Sequence, residues 1–113
     1  MTAKEVAEKY FELSNKSDLD AIAELFTDTS TYRSQNTGTF TGRDEIIEMQ
    51  KGFHSQYSSL NWKIDGFKEQ DEGMLFDIVF ERTTFEGEKF TSKVQEYIVV
   101  RDEKIEEVEI RNV

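Results

Sequence analysis

Lys9 to Tyr32 reads KYFELSNKSDLDAIAELFTDTSTY: two amphipathic helical segments meet at a polar break and run straight into a threonine-rich strand. Upstream, Thr2 and Glu5 stand in capping-box spacing, and Ala3, Val6, Ala7, Tyr10, Phe11 and Ser14 trace one helical face. Asn15 to Ser17 break that helix. Ser17 is then expected to cap a short second helix with Leu19, Ile22, Ala23 and Phe26 as its buried stripe and Asp18 and Asp20 in the dipole-favoured first turn. Thr29 to Gln35 has the β-branched and aromatic content of a strand, with Tyr32 and Ser34 on one face. The consequence is a tyrosine, Tyr10, on a core-facing helix surface, near a strand able to form the opposite wall of a small-molecule pocket.

Working outward, Gly38 to Gly42 reads as a hairpin-like excursion. A third helix starts at Arg43, and Ile46, Ile47, Gln50, Phe53, His54 and Tyr57 recur on one face of it. From Leu60 the period changes to two. Leu60, Trp62 and Ile64 alternate with polar residues, a turn is expected around Gly66 and the run Lys68 to Glu72, and Met74, Phe76, Ile78 and Phe80 then share a strand face. Lys89 to Arg101 and Ile105 to Val113 read as further strands, separated by a tight turn at Asp102 to Lys104. Three helices interrupted by one strand, followed by a meander, predict a single α+β domain over 1–113, with the helices packed on one face of a curved antiparallel sheet. Apolar residues also stand on the second sheet face: Leu75 and Val79 oppose Phe76 and Ile78, and Tyr97 and Val99 oppose Val94, Ile98 and Val100. That second face calls for another cover, so a homodimer through the outer sheet face is expected.

At 113 residues the chain can bury roughly two thirds of its unfolded surface, and nine Phe, four Tyr and one Trp supply a bulky core. Fourteen basic against 24 acidic residues give a net charge of −10, which repels nucleic acid and anionic membranes. No apolar run is long enough to span a bilayer and the N-terminus lacks a signal-peptide pattern, so a cytoplasmic location is expected. With no cysteine and one histidine, neither disulfides nor a metal site is expected, and no glycine-rich phosphate loop or G-x-S-x-G is present. No cofactor is expected.

YFELSNKSDLDAIAELFTDTSTY, then GTFTGRDEIIEM, a meander and a final VVRDEKIEEVEIRN together resemble the nuclear transport factor 2-like superfamily, nearest its SnoaL-like and ketosteroid-isomerase-like branch. The resemblance spans the whole chain. It implies an α+β cone with a pocket between helices and concave sheet, commonly dimeric, in a superfamily that includes enzymes and binding modules alike. Carried over residue by residue, the isomerase's hydrogen-bonding tyrosine falls on Tyr10. Its proton-abstracting aspartate falls on Ser34, and its second, protonated aspartate falls at or beside Gln95. Serine is no base near neutral pH without a partner, and glutamine does not titrate, so the familiar isomerase chemistry is not expected.

On a cone of this kind the inward positions are Tyr10, Tyr32, Ser34, Gln50, Phe53, His54, Tyr57, Trp62, Phe76, Ile78, Phe80, Gln95, Tyr97, Val108, Ile110 and Asn112. This lining is rich in rings, amides and hydroxyls and nearly free of carboxylates, with Asp77, Glu81, Glu107 and Glu109 turned outward by parity. It suits a small, neutral, partly apolar organic ligand. An isomerase, cyclase or dehydratase using His54 as base and Tyr10 as polarising donor is the alternative, and a protein-association module working through the outer face is a third. The ring of His54 is equally a half-solvated residue at the edge of its helix, and the phenol of Tyr10 equally a core hydroxyl.

Overall fold

The chain's computed structural model describes residues 1–113 and has the element order α1 (Ala3–Asn15), α2 (Leu19–Ala23), β1 (Phe26–Ser34), β2 (Gly38–Thr41), α3 (Arg43–His54), β3 (Tyr57–Gln70), β4 (Gly73–Thr84), β5 (Lys89–Arg101) and β6 (Lys104–Asn112). One six-stranded sheet runs β2-β1-β6-β5-β4-β3. Every neighbouring pair is antiparallel except β1 and β6, which run parallel, so the last strand lies beside the first. The three helices pack on the concave side. No helix is long and apolar enough to cross a membrane.

The capping box on α1 forms as its spacing predicts: Thr2 Oγ1 accepts from the Glu5 amide and Glu5 accepts from the Thr2 amide. The cap of α2 differs from expectation. Asp18, not Ser17, takes the Ala21 amide, while Ser17 adopts a left-handed backbone and sends its hydroxyl elsewhere. Phe26 opens β1 instead of closing α2, but it is fully buried all the same. Tyr57 likewise begins β3 instead of ending α3.

β3 runs unbroken through Gly66 and Lys68, so the expected turn there is instead a β-bulge, marked by a register shift between Ile64 and Gly66. A Cβ at Gly66 would stand 2.6 Å from a carboxylate oxygen of Asp77, so the glycine admits a close cross-strand approach. The true reversal comes at Asp71 and Glu72.

The core lies between helices and sheet. Val6, Ala7 and Phe11 of α1 meet Phe76, Ile78, Ile98 and Val108 of the concave face. Phe11 packs edge-on against Phe76 at 5.3 Å, and this closes the narrow end of the cone with solid packing. On the convex face Leu75 and Val99 are already buried in the single chain, so that face needs less cover than its alternation implies. Gly73 lies directly beneath the Tyr97 ring, whose hydroxyl donates to the Gln70 carbonyl, and Arg111 lies over the same ring.

Candidate functional site

At the wide end the cone stays hollow. A cavity of about 140 Å³ opens between α1, α3 and the concave faces of β1, β3, β4, β5 and β6. Of the expected site residues, Tyr10, Tyr32, Ser34, Gln50, Phe53, His54, Trp62, Phe80 and Ile110 line it together. Phe76, Ile78 and Val108 face the same way but are fully buried in the solid end, and Tyr57 packs beside Phe53 outside the cavity. Asn112 is exposed and bonds to Gln35 and Asn36 at the strand ends.

Gln95 and Tyr97 are corrections, because the structure places both on the convex face. There Gln95 donates to Asp77 at 2.9 Å. β5 pairs Phe76 with Glu96 and Ile78 with Val94, so the concave row is Val94, Glu96, Ile98. A carboxyl group therefore stands where an amide was expected. The lining is not free of carboxylates, although Asp77, Glu81, Glu107 and Glu109 do lie outward with their ion-pair or amide partners.

Glu96 is 2% exposed, and burial pushes its carboxyl up to about 8. No side chain or backbone amide donates to it and no cation pairs with it, so at pH 7 the site holds a neutral acid facing the cavity. Tyr10 reinforces this arrangement. Gln50 Nε2 donates to its phenol oxygen at 3.0 Å, which leaves the phenol's own proton free to donate into the cavity. Burial first, then the neighbouring Tyr32 and Glu96, hold the Tyr10 hydroxyl well above its usual range, so it stays protonated. The Tyr32 hydroxyl, raised by burial and by Glu96, is also protonated and has no hydrogen-bond partner. Gln50 Oε1 is buried without a partner. Three donors and one acceptor thus line one small space, and the acceptor, Gln50 Oε1, is fully buried without a partner, which costs about 1–3 kcal/mol.

The walls are aromatic. Trp62 stacks on Phe80 at 4.6 Å, His54 lies against Trp62 at 5.6 Å, and Phe53 adjoins Phe80 at 6.0 Å. His54 is half-buried, with Nδ1 2.8 Å from the Ser17 hydroxyl, and burial lowers its pKa so that it is neutral at pH 7. The left-handed turn at Ser17 therefore anchors this ring at the break between α1 and α2.

Sequence reasoning missed Phe11, Ser14, Asn36, Thr37, Met49, Val94 and Glu96 as lining residues. For Glu96 the signal was present: Val94, Ile98 and Val100 share a face, and parity puts residue 96 on it. Asn36 and Thr37 enter from the β1–β2 turn, which no periodicity describes.

This hollow α+β cone is the architecture of the nuclear transport factor 2-like and ketosteroid isomerase-like proteins. The SnoaL-like domain model matches residues 7–108, and the chain belongs to that family. Many solved structures share its fold, among them the three that follow. A hypothetical protein with a ketosteroid isomerase-like fold from Catenulispora acidiphila, in complex with trimethylamine, superimposes with a TM-score of 0.85 at 17% identity over 96% of this chain and 85% of its own. A protein described as a SnoaL-like polyketide cyclase from Shewanella putrefaciens gives 0.86 at 11% identity over 97% and 79%. A nuclear transport factor 2-like protein of unknown function from Burkholderia pseudomallei gives 0.85 at 16% identity over 100% and 92%. No curated protein matches the chain.

Proposed function

We propose that this domain binds a small, neutral, partly apolar organic molecule whose oxygen accepts hydrogen bonds from Tyr10, Tyr32 and protonated Glu96. The observation that carries the reading is the convergence of unpartnered polar groups on an aromatic cavity. A cavity of about 140 Å³ is close to the space that one benzene ring fills, so a single-ring ketone fits the enclosed part and a polycyclic molecule does not. Neutrality of the group seated in the cavity follows from neutrality of the site, since a buried acid that is itself protonated offers a donor and no charge.

The protein's one tryptophan, Trp62, is in the wall, so its fluorescence reports occupancy. Titration with acetophenone at pH 6 and pH 9.5 tests the proposal. Glu96 donates only while protonated, so affinity is expected to be high below about 8 and to fall as pH rises through that value. Acetophenone affinity that stays level or rises above that value would show that protonated Glu96 is not its donor and overturn the reading.

A second reading is favoured by the same carboxyl. A carboxyl pushed up to about 8 is ionised above that pH, so there Glu96 joins His54 as a candidate base of an isomerase or cyclase, with Tyr10 polarising a carbonyl. Exchange of the α-protons of acetophenone with solvent deuterium, lost in Glu96→Gln, would favour it. Absence of exchange with binding intact would leave the domain a binding module. Two copies associating through the outer face, around Val79 and Tyr97, complete the proposal.

A further inference from the structure

Beyond the cavity the concave aromatic row continues. The Arg82 guanidinium lies 5.2 Å from the Phe80 ring centre and 5.4 Å from that of Phe90, so His54, Trp62, Phe80, Arg82 and Phe90 form one stacked ladder across the sheet. Arg82 Nη1 donates to Ser92 Oγ at 3.1 Å, which tethers the guanidinium to β5. Ser92 lies opposite Phe80 and one alternation beyond Val94, placing Arg82 at the lip of the cavity.

Its charge is unanswered. Arg33, Arg101 and Arg111 all pair with glutamates, and Arg43 gives two hydrogen bonds to the Phe26 carbonyl. Arg82 alone among the arginines has neither a carboxylate nor a carbonyl, in a chain with 24 acidic residues. Its concave-face neighbours across the strands are Leu60 and Phe90, so no acid stands opposite it. A guanidinium within cation–π distance of two rings, with most of its donors unused, is prepared for a planar anion.

We propose that Arg82 is a ligand-recognition residue that binds a carboxylate on the same molecule whose neutral head occupies the cavity. This rests on the hydrogen-bond-accepting head argued above and extends it: the ligand is an elongated aromatic acid. Ser92 is about 13 Å along β5 from Glu96 at the usual rise per residue, which is roughly the length of two linked rings. One ring fits the enclosed space, and the second lies on Trp62 and Phe80 with its acid group at Arg82. Because the net charge of −10 repels anions in general, a guanidinium without a carboxylate partner at the lip of the cavity also favours entry of such a molecule there.

The test compares acetophenone, 4-acetylbiphenyl, 4'-acetylbiphenyl-4-carboxylate and biphenyl-4-carboxylate by Trp62 quenching, on the unaltered protein, Arg82→Met and Arg82→Lys. In the unaltered protein the keto acid is expected to bind about tenfold more tightly than 4-acetylbiphenyl, the gain of one charge-assisted contact. That gain should shrink with added salt, vanish in Arg82→Met and survive in part in Arg82→Lys, while acetophenone affinity is unchanged throughout. Equal affinity of the two biphenyl ketones, or a preference that persists in Arg82→Met, overturns the role of Arg82 and leaves the cavity reading intact if acetophenone still binds. Arg82-dependent binding of biphenyl-4-carboxylate without any binding of acetophenone keeps Arg82 and overturns the neutral head. Failure of all four probes to bind overturns both.

Discussion

The two faces of the sheet treat their acids in opposite ways. On the convex face Glu107 and Glu109 share Arg33, Glu109 also meets Arg111 at 2.6 Å, and Glu81 meets Lys63 at 3.0 Å. On the concave face Glu96 is more deeply buried than any of these and has no partner. Pairing where water is available contributes little, whereas leaving an acid unpaired where water is scarce is costly and shifts its titration instead. A fold that pairs these convex-face glutamates with cations and gives the interior one none keeps a protonated carboxyl in its hollow, and the ligand proposal is built on that difference.

The contrast can be broken from several sides. The largest effect is expected at the solid end of the concave face, where Phe76→Ala should cost about 3–5 kcal/mol in a urea melt. A loss below about 1 kcal/mol would mean that the narrow end is not packed as described. Next comes Glu96, whose raised pKa contributes stability that is complete below the unfolded value near 4.5 and is lost as pH rises through about 8. Stability should therefore fall across that window by an amount on the order of a few kcal/mol, and Glu96→Gln should flatten the slope and be the more stable protein at pH 8.5. An unchanged slope in the variant would show that Glu96 is ionised and solvated.

Tyr10→Phe removes a donor and deprives Gln50 Nε2 of its acceptor, so acetophenone affinity should drop about tenfold with only about 1 kcal/mol lost in folding. Equal affinity would remove Tyr10 from the site. Smallest of all is Glu107→Gln on the convex face, where a change of no more than about 1 kcal/mol is expected. The same face is the one through which we propose that two copies pair. Light scattering at micromolar concentration should give the dimer mass, and a clean monomer would remove that part of the proposal.

Much of this was legible in advance, and the failures have a common cause. Helix faces repeat every 3.6 residues over several turns, so Tyr10, Gln50, Phe53 and His54 could be placed together from α1 and α3 alone. A strand alternates every second residue, so a one-residue slip exchanges its faces completely, and that slip put Gln95 and Tyr97 inside and left Glu96 out. Gly66 misled in a related way, because glycine marks a bulge as readily as a turn. The lip residue Arg82 gave no signal of its own: its meaning comes from the missing partner, and only tertiary structure shows who stands beside whom.

The parallel pairing of β1 with β6 has a temporal consequence. Ile105 donates to the Leu25 carbonyl and Ser30 Oγ donates to the Ile105 carbonyl, so the last of the six strands in chain order is the one that must slot between β1 and β5. Until it does, the nascent sheet is two unjoined pieces, β2-β1 and β5-β4-β3, and the helices have no continuous floor to settle on. Such long-range closure favours all-at-once assembly, with slow folding and strand edges exposed until β6 docks.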